Sequence, residues 1–176
     1  LAASLGVLEK KVLLVDADPQ GNASSGIGIS KDDYEKSCYD VLLNQCKIEE
    51  SIIQTKSPIL DIIPANIDLV AVEIELVDAN KREHMLSKML DKIKEIYDFI
   101  IIDCPPSLGL ITINALTSSD SVIIPIQCEY YALEGLGKLL NTIKGVQQVH
   151  NEKLDIEGIQ LTMFDSRLRL SNQVKN

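Results

Sequence analysis

Short apolar runs alternate along the chain with longer segments in which apolar residues recur every three or four positions. This alternation is typical of an α/β fold, in which helices cover both faces of a mostly parallel twisted sheet. The predicted strands span residues 11–16, 60–64, 98–103, 121–126 and 156–162. The predicted helices span residues 68–77, 81–96, 110–117 and 133–149. No linker divides residues 1–176, so we expect one α/β domain.

Three of the predicted strands are nearly continuous apolar runs, as expected for strands that are buried on both faces. The helical segment 81–96 carries a regular apolar stripe, which indicates core packing rather than a cofactor site. Its members are Met85, Leu86, Met89, Leu90, Ile93 and Ile96. Residues 1–11 and 168–176 have the pattern of helices already in progress. We therefore expect the chain to be a fragment cut at both ends.

Composition narrows the classes of protein that fit. With 176 residues, 45% of them hydrophobic, the chain can bury one substantial core. Its apolar runs are too short to span a bilayer and no export signal opens it, so we expect a cytoplasmic protein without a membrane partner. Its four cysteines include no C-x-x-C pair, which predicts unpaired thiols. The net charge of −9 restricts any DNA contact to a local patch.

The first predicted strand ends in VDADPQGN, which places two carboxylates just before a turn. Extended backbone would point Asp16 and Asp18 the same way, and ligands of open α/β sheets bind at this end of the strands. Like charges so close together require a cation or a proton. Solvated acids in an ordinary turn remain the alternative.

A second motif, FIIIDCPPSLG, ends another apolar strand in Asp103 and two prolines. Magnesium needs only one or two carboxylates together with the phosphates of a substrate, so this strand end suits a magnesium site. The alternative is that Asp103 caps the helix that begins near Leu110.

These motifs, followed by SVIIPIQCEYYALEGL and LTMFDSRLRLSNQV, resemble the deviant Walker P-loop ATPases of the ParA/Soj type. The likeness runs nearly from end to end. The phosphate loop of the KGGVGKT type and the strand before it are not in this sequence. The resemblance therefore implies a P-loop NTPase fold that lacks its first strand and phosphate loop, and ATP and Mg²⁺ as cofactors.

The resemblance also implies roles for individual residues. Asp18 would orient the attacking water, and Asp16 and Asp103 would serve the magnesium shell. Gly21 and Asn22 would lie in a first switch segment. A second switch segment, which would sense the terminal phosphate, comprises Pro105, Pro106, Ser107 and Gly109. Three further residues would lie near the base: Met163, Phe164 and Asp165.

The family likeness further implies an ATP-bound homodimer that binds DNA without reading its sequence, and a ParB-like centromere-binding partner that stimulates hydrolysis. Arg167 and Arg169 would contact the DNA, and a nucleoid-associated location would follow. A solvated helix face is the alternative for these arginines. Without the loop lysines, the chain of 176 residues alone is expected to be inactive.

Several other functions remain open from the sequence. A MinD-like division-site ATPase usually differs after the paired aspartates, and iron-sulfur scaffold ATPases should carry a C-x-x-C. A phosphorylation-dependent receiver module needs another aspartate at the end of the next core strand, where this chain has Pro64. A non-hydrolysing regulatory binding protein is the last alternative.

Overall fold

The computed structural model describes residues 1–57, 59–127, 132–164 and 167. The chain divides into two compact units, Leu1–Ser118 and Ser119–Asn176. Both units combine parallel strands with helices, which confirms the predicted α/β class. The single-domain organisation stays a prediction.

Within the described residues, the strands of the first unit form one mostly parallel sheet in the order β2-β3-β1-β4. Their bounds are Val12–Asp16 for β1, Ile53–Gln54 for β2, Leu60–Ile63 for β3 and Phe99–Asp103 for β4. Strand β1 pairs in parallel with both β3 and β4, whereas the short β2 pairs antiparallel with β3. The carboxyl ends of β1 and β4 therefore meet at one edge of the sheet.

Helices cover this sheet. They are α1 (Ala2–Val7), α2 (Asn22–Gly26), α3 (Cys38–Leu42), α4 (Val72–Glu75), α5 (Met85–Leu90) and α6 (Leu110–Ser118). Single 3-10 turns lie at Lys31–Asp33, Ile48–Ser51, Ile67–Ala71, Arg82–His84 and Lys94–Ile96. The sequence pattern missed α2 and α3 because a helix of five residues is too short to show a period.

Strand β1 is the centre of the core, since all five of its residues are buried. Leu13 and Val15 pack into a large cluster with residues of α3, α5 and α6. Val12 and Leu14 face the other side of the sheet, in a smaller cluster with Ala2 of α1. Burial on both faces was also expected for β4, but Phe99 is 43% exposed, because β4 has a strand partner on one side only among the described residues.

The predicted helix 81–96 is broken into α5 with a 3-10 turn on either side. Lys81 has a left-handed backbone, with φ of 54°, which stops the helix from starting there. At the other end, Lys92, Ile93 and Ile96 donate to carbonyls three residues back, so the turn tightens. The apolar stripe is partly buried at Met85 and buried from Leu86 to Ile93, but Ile96 is 50% exposed beyond the tightened turn. Likewise, the segment predicted as helix 68–77 is a 3-10 turn leading into α4.

The second unit contains β5 (Ser121–Gln127), α7 (Ala132–Val149) and β6 (Asp155–Thr162). Strands β5 and β6 run parallel, with a bulge between Val122 and Ile123. The buried residues of this unit include Ile124 and Ile126 of β5 and Ile143 of α7. This arrangement is the βαβ unit that the sequence pattern predicts.

Candidate active site

Asp16 is fully buried at the carboxyl end of β1, and three hydrogen bonds satisfy its carboxylate. Ser24 donates twice to Oδ2, from its backbone N–H at 2.8 Å and from its hydroxyl at 2.6 Å. The backbone N–H of Asp18 donates to Oδ1 at 3.2 Å. A buried carboxylate is tolerated only when it is bonded in this way. Asp16 therefore fixes the turn that follows it.

The turn after Asp16 brings the following residues back to that carboxylate. Asp18 is half-buried, and its Oδ1 accepts from the N–H of Gln20 at 2.9 Å. Gly21 has a left-handed backbone, with φ of 63°, which glycine adopts without steric cost. Asn22 then begins α2 with an exposed side chain. The left-handed turn at Gly21 delivers Ser24 to Asp16.

Asp103 lies beside Asp16 at the same edge of the sheet. The two residues are register partners, and the N–H of Ala17 donates to the carbonyl oxygen of Asp103 at 2.8 Å. Partial removal of the Asp103 carboxyl group from water raises its pKa, and the negative charges of Asp16 and Asp18 raise the pKa further. The structure thus brings together the three aspartates that the sequence analysis singled out.

The 105–109 segment, Pro105 to Gly109, follows Asp103 and leads into α6. Thr112 of α6 donates its hydroxyl to the carbonyl oxygen of Ser107 at 2.6 Å. The N–H of Leu110, at the start of α6, donates to Glu73 Oε1 at 2.8 Å. The alternative in which Asp103 caps this helix is therefore wrong at Leu110, because Glu73 supplies that cap.

The cysteines that the structure describes add no further ionised group to this site. Cys38, Cys46 and Cys104 are free thiols, and Cys128 lies outside the described residues. Burial raises the pKa of Cys104 to about 12, and the charges of Asp103 and Asp18 contribute. Cys104 is therefore a protonated thiol at neutral pH.

The other residues that the sequence analysis predicted to bind nucleotide or DNA belong to the second unit. Met163 and Phe164 follow β6 and are 83% and 41% exposed. Met163 has φ of 52°, an uncommon conformation for a residue with a side chain. Arg167 is exposed, whereas Asp165 and Arg169 lie outside the described residues.

Comparison with known proteins identifies the family. Residues 1–156 match a family model described as an AAA domain. Over 174 residues the chain is 56% identical to the sporulation initiation inhibitor protein Soj of Bacillus subtilis (strain 168), covering 99% of this chain and 69% of that protein. The chain belongs to the Soj/ParA family of chromosome-partitioning ATPases. It is also 53% identical to the chromosome partitioning protein ParA of Myxococcus xanthus (strain DK1622), again over 99% of this chain but over only 62% of that protein.

A solved structure similar to this Soj/ParA family member carries a nucleotide. Cobyrinic acid a,c-diamide synthase from Mycobacterium smegmatis, with bound ADP and magnesium, superimposes with a TM-score of 0.93. The two sequences are 40% identical, and the match covers 99% of this chain and 71% of the synthase. The likeness confirms the P-loop ATPase type of fold and supports nucleotide and magnesium binding in the family.

The carboxylates of this Soj/ParA chain fit a magnesium ion in chemistry and charge. Hard oxygen ligands suit Mg²⁺. Partial burial is the main cause of the raised pKa of Asp103, and the nearby negative charges of Asp16 and Asp18, which add to it, are charges that a cation would offset. Asp103 is exposed, whereas both oxygens of Asp16 already accept hydrogen bonds. In the part of the chain that the structure describes, no group of three or more His, Cys, Asp or Glu side chains is arranged to hold a metal ion. The fit is therefore that of one or two carboxylates acting together with substrate phosphates.

Sequence reasoning missed two residues that shape this site, Ser24 and Glu73. Ser24 also accepts a hydrogen bond from the N–H of Ala65 at 3.3 Å, so it connects Asp16 to the segment after β3. A serine after a glycine turn signals a helix start but does not reveal this partner. Glu73 is separated from Leu110 by 37 positions, and no local pattern signals that contact.

Among the described residues, no helix combines the length and apolar character needed to cross a membrane.

Proposed function

We propose that this chain carries the hydrolytic centre of an ATP-driven switch that partitions chromosomes or plasmids. The observation that supports this proposal is the register of β1 and β4, which puts Asp16 and Asp103 side by side at a strand end. Ligands bind at this edge in open α/β sheets. The relatives named Soj and ParA supply the biological process.

In this proposal Asp18 positions the water that attacks the terminal phosphate. One oxygen of its carboxylate is held by the N–H of Gln20, which fixes the group while the other oxygen can accept from a water. Asp18 is only half-buried, so solvent can reach it. Positioning of this kind is the main protein contribution to phosphoryl transfer.

We assign Asp103 to the magnesium shell directly and Asp16 to its support. Magnesium, when bound with ATP, supplies the positive charge that neutralises phosphate oxygens. Asp16 holds Ser24 and Asp18 in place through the three hydrogen bonds described above. Gly21 and Asn22 form the first switch segment, and the 105–109 segment forms the second.

The wider partition cycle is also part of the proposal. Two ATP-bound copies would associate, bind DNA without sequence preference through Arg167 and Arg169, and respond to a ParB-like partner at the nucleoid in the cytoplasm. Arg167 is exposed, as a DNA-contacting side chain must be. Met163, Phe164 and Asp165 are proposed to lie near the adenine base.

Replacement of Asp18 by alanine tests the hydrolytic assignment. In the full-length protein we expect Asp18→Ala to lower kcat for ATP hydrolysis by about 100-fold or more and to leave ATP affinity within about threefold. The control is Asp32→Ala, which removes an exposed acid elsewhere in the unit. Normal turnover by Asp18→Ala, or equal losses in both variants, would show that Asp18 does not position the water.

Replacement of Arg167 tests the DNA assignment. Arg167→Ala should weaken ATP-dependent binding to DNA of any sequence and should reduce the salt dependence of that binding, because one phosphate contact is lost. Lys31→Ala, an exposed cation of the first unit, is the control. Unchanged DNA affinity and salt dependence in Arg167→Ala would contradict the assignment.

A second candidate function comes from the name of the Mycobacterium smegmatis protein, which is that of a synthase acting on cobyrinic acid. Its identity of 40% is below the 56% and 53% found for Soj and ParA. Measuring ATP hydrolysis with DNA or with cobyrinic acid separates the two candidates. Stimulation by DNA supports partition, and ATP turnover that requires cobyrinic acid supports the synthase.

We also propose that residues 1–176 alone neither bind ATP tightly nor turn it over, because the chain contains no KGGVGKT-type loop to hold the phosphates. Calorimetric titration of ATP and magnesium into the 176-residue chain tests this directly. Tight binding by this chain would contradict the proposal.

A further inference from the structure

Glu73 contacts the 105–109 segment from a distant part of the chain. It lies in α4, after β3, and its Oε1 accepts the 2.8 Å hydrogen bond from the N–H of Leu110. Leu110 is the first residue of α6, a helix of nine residues. A carboxylate at this position also interacts favourably with the positive end of the helix dipole.

Gly109 is the residue that lets this carboxylate approach. A Cβ atom placed on Gly109 would overlap with Oε1 of Glu73. A side chain at position 109 would therefore displace the end of the Glu73 side chain, which is exposed and can move. Glycine at this position leaves the Glu73 carboxylate room to reach the N–H of Leu110.

The body of α6 is anchored independently of Glu73. Asn114 is fully buried, and its amide donates to the carbonyl oxygen of Arg82 at 2.9 Å and accepts from the N–H of Leu86 at 3.1 Å. These bonds attach α6 to the 3-10 turn before α5 and to α5 itself. Thr112 attaches Ser107 to the first turn of α6. The first turn and the middle of α6 are therefore held by contacts that do not involve Glu73, and Glu73 adds a contact at the first residue of the helix.

The Glu73 contact is accessible to solvent. The side chain is exposed and faces a shallow pocket that Arg82 and Glu83 also line, so solvent can replace its hydrogen bond. Arg82 itself pairs with Glu83 at 3.1 Å. The 105–109 segment starts two residues after Asp103 and ends next to Leu110, so it connects the Glu73 contact to the strand end that carries Asp103.

We propose that Glu73 is a positioning residue, which holds the 105–109 segment in the arrangement needed to sense the terminal phosphate. This inference rests on the proposed ATPase function. Glu73 acts through Gly109 and Leu110 and touches no reacting atom.

Two substitutions at position 73 separate its charge from its hydrogen bond in the full-length protein. Glu73→Ala removes the acceptor, so kcat for ATP should fall by about three- to 30-fold with KM within about twofold. Glu73→Gln keeps an acceptor for the Leu110 N–H and should stay within about threefold of wild type. The matched control is Glu75→Ala on the same helix, whose carboxylate binds the Tyr39 hydroxyl instead.

Amide hydrogen exchange provides a readout that does not depend on turnover. Glu73→Ala should speed exchange of the Leu110 amide by about tenfold, and Glu75→Ala should not. In a double-mutant cycle, Gly109→Ala should cost less activity when combined with Glu73→Ala, because the overlap with Oε1 is gone.

The outcomes distinguish this inference from the proposed function. Wild-type hydrolysis with unchanged kcat in Glu73→Ala overturns the positioning role alone. Equal losses in Glu73→Gln and Glu73→Ala, unchanged Leu110 exchange, or strictly additive effects of Glu73→Ala and Gly109→Ala also overturn it. If the wild-type protein does not hydrolyse ATP, the proposed function fails and the positioning role fails with it.

Discussion

Ser24→Ala is the sharpest test of how the active-site turn is held together. The hydroxyl of Ser24 donates at 2.6 Å to the fully buried carboxylate of Asp16 and accepts at 3.3 Å from the N–H of Ala65. Alanine removes both bonds and leaves the backbone N–H of Ser24 as a donor to Asp16 at 2.8 Å. The change deletes one atom from a buried position without adding bulk.

The expected cost follows from the two lost bonds. A hydrogen bond to a charged group contributes about 1.5–3 kcal/mol, and the unpaired, buried N–H of Ala65 adds about 1 kcal/mol. Because the backbone donor of Ser24 remains, we expect Ser24→Ala to lower the free energy of unfolding by about 2–4 kcal/mol. For a chain of this length, the melting temperature should fall by about 4–16 °C.

Urea and thermal unfolding followed by circular dichroism measure this effect, and the absence of tryptophan makes circular dichroism the convenient probe. Ser25→Ala is the matched control, because its exposed hydroxyl bonds only the carbonyl of Gly21 at 3.0 Å. We expect the control to change stability by no more than about 0.5 kcal/mol. The reasoning is refuted if Ser24→Ala is no more destabilising than Ser25→Ala.

Three further predictions concern the stability of the first unit. The pKa of Asp103 is higher in the folded state than in the unfolded state. The free energy of unfolding therefore falls as the pH rises through that range, and the loss is complete above the folded-state pKa. Without magnesium, Asp103→Asn should therefore raise the free energy of unfolding at pH 7, and with it the melting temperature. The gain should be less than about 1 kcal/mol, because the side chain is exposed, and the effect at pH 3 should be small. A lower melting temperature at pH 7 contradicts this. Asn114→Ala breaks the buried hydrogen bonds to Arg82 and Leu86, and should lower the free energy of unfolding, measured in urea, by about 2–4 kcal/mol. Its control, Asn80→Ala, changes an exposed residue and should lower it by about 0.5 kcal/mol or less. Leu13→Ala, at the centre of the core, should lower the free energy of unfolding by about 2–5 kcal/mol. Leu8→Ala, at 68% exposure, should leave it nearly unchanged. Comparable losses of stability in the two variants would argue against the packing described.

The sheet and the aspartates could be read from the sequence because their signals are local. Apolar runs located β1, β3, β4, β5 and β6 within two residues at each end. The carboxyl ends of parallel strands lie at one edge of a sheet, so Asp16 and Asp103 could be expected at the same edge. That β1 and β4 are neighbours came only from the structure. The alternation pattern also predicted a common direction for Asp16 and Asp18, although it did not reveal how Asp16 is satisfied.

The contacts that shape the site could not be predicted, because their partners are distant in sequence. Ser24 bonds Ala65 across 41 positions, and Glu73 bonds Leu110 across 37. A helical period also does not show where a helix tightens, so the broken helix around α5 and the exposure of Ile96 were missed. These features depend on tertiary packing, which overrides local propensity.

Calorimetric titration of ATP into the full-length protein, with and without magnesium, tests the central assignment of the carboxylates most directly. We expect wild type to bind ATP more tightly with magnesium, and Asp103→Asn to lose most of that magnesium dependence. Asp98→Asn, at the opposite end of the same strand region, should retain it. Equal magnesium dependence in wild type and Asp103→Asn would contradict the placement of the magnesium site at this edge of the sheet.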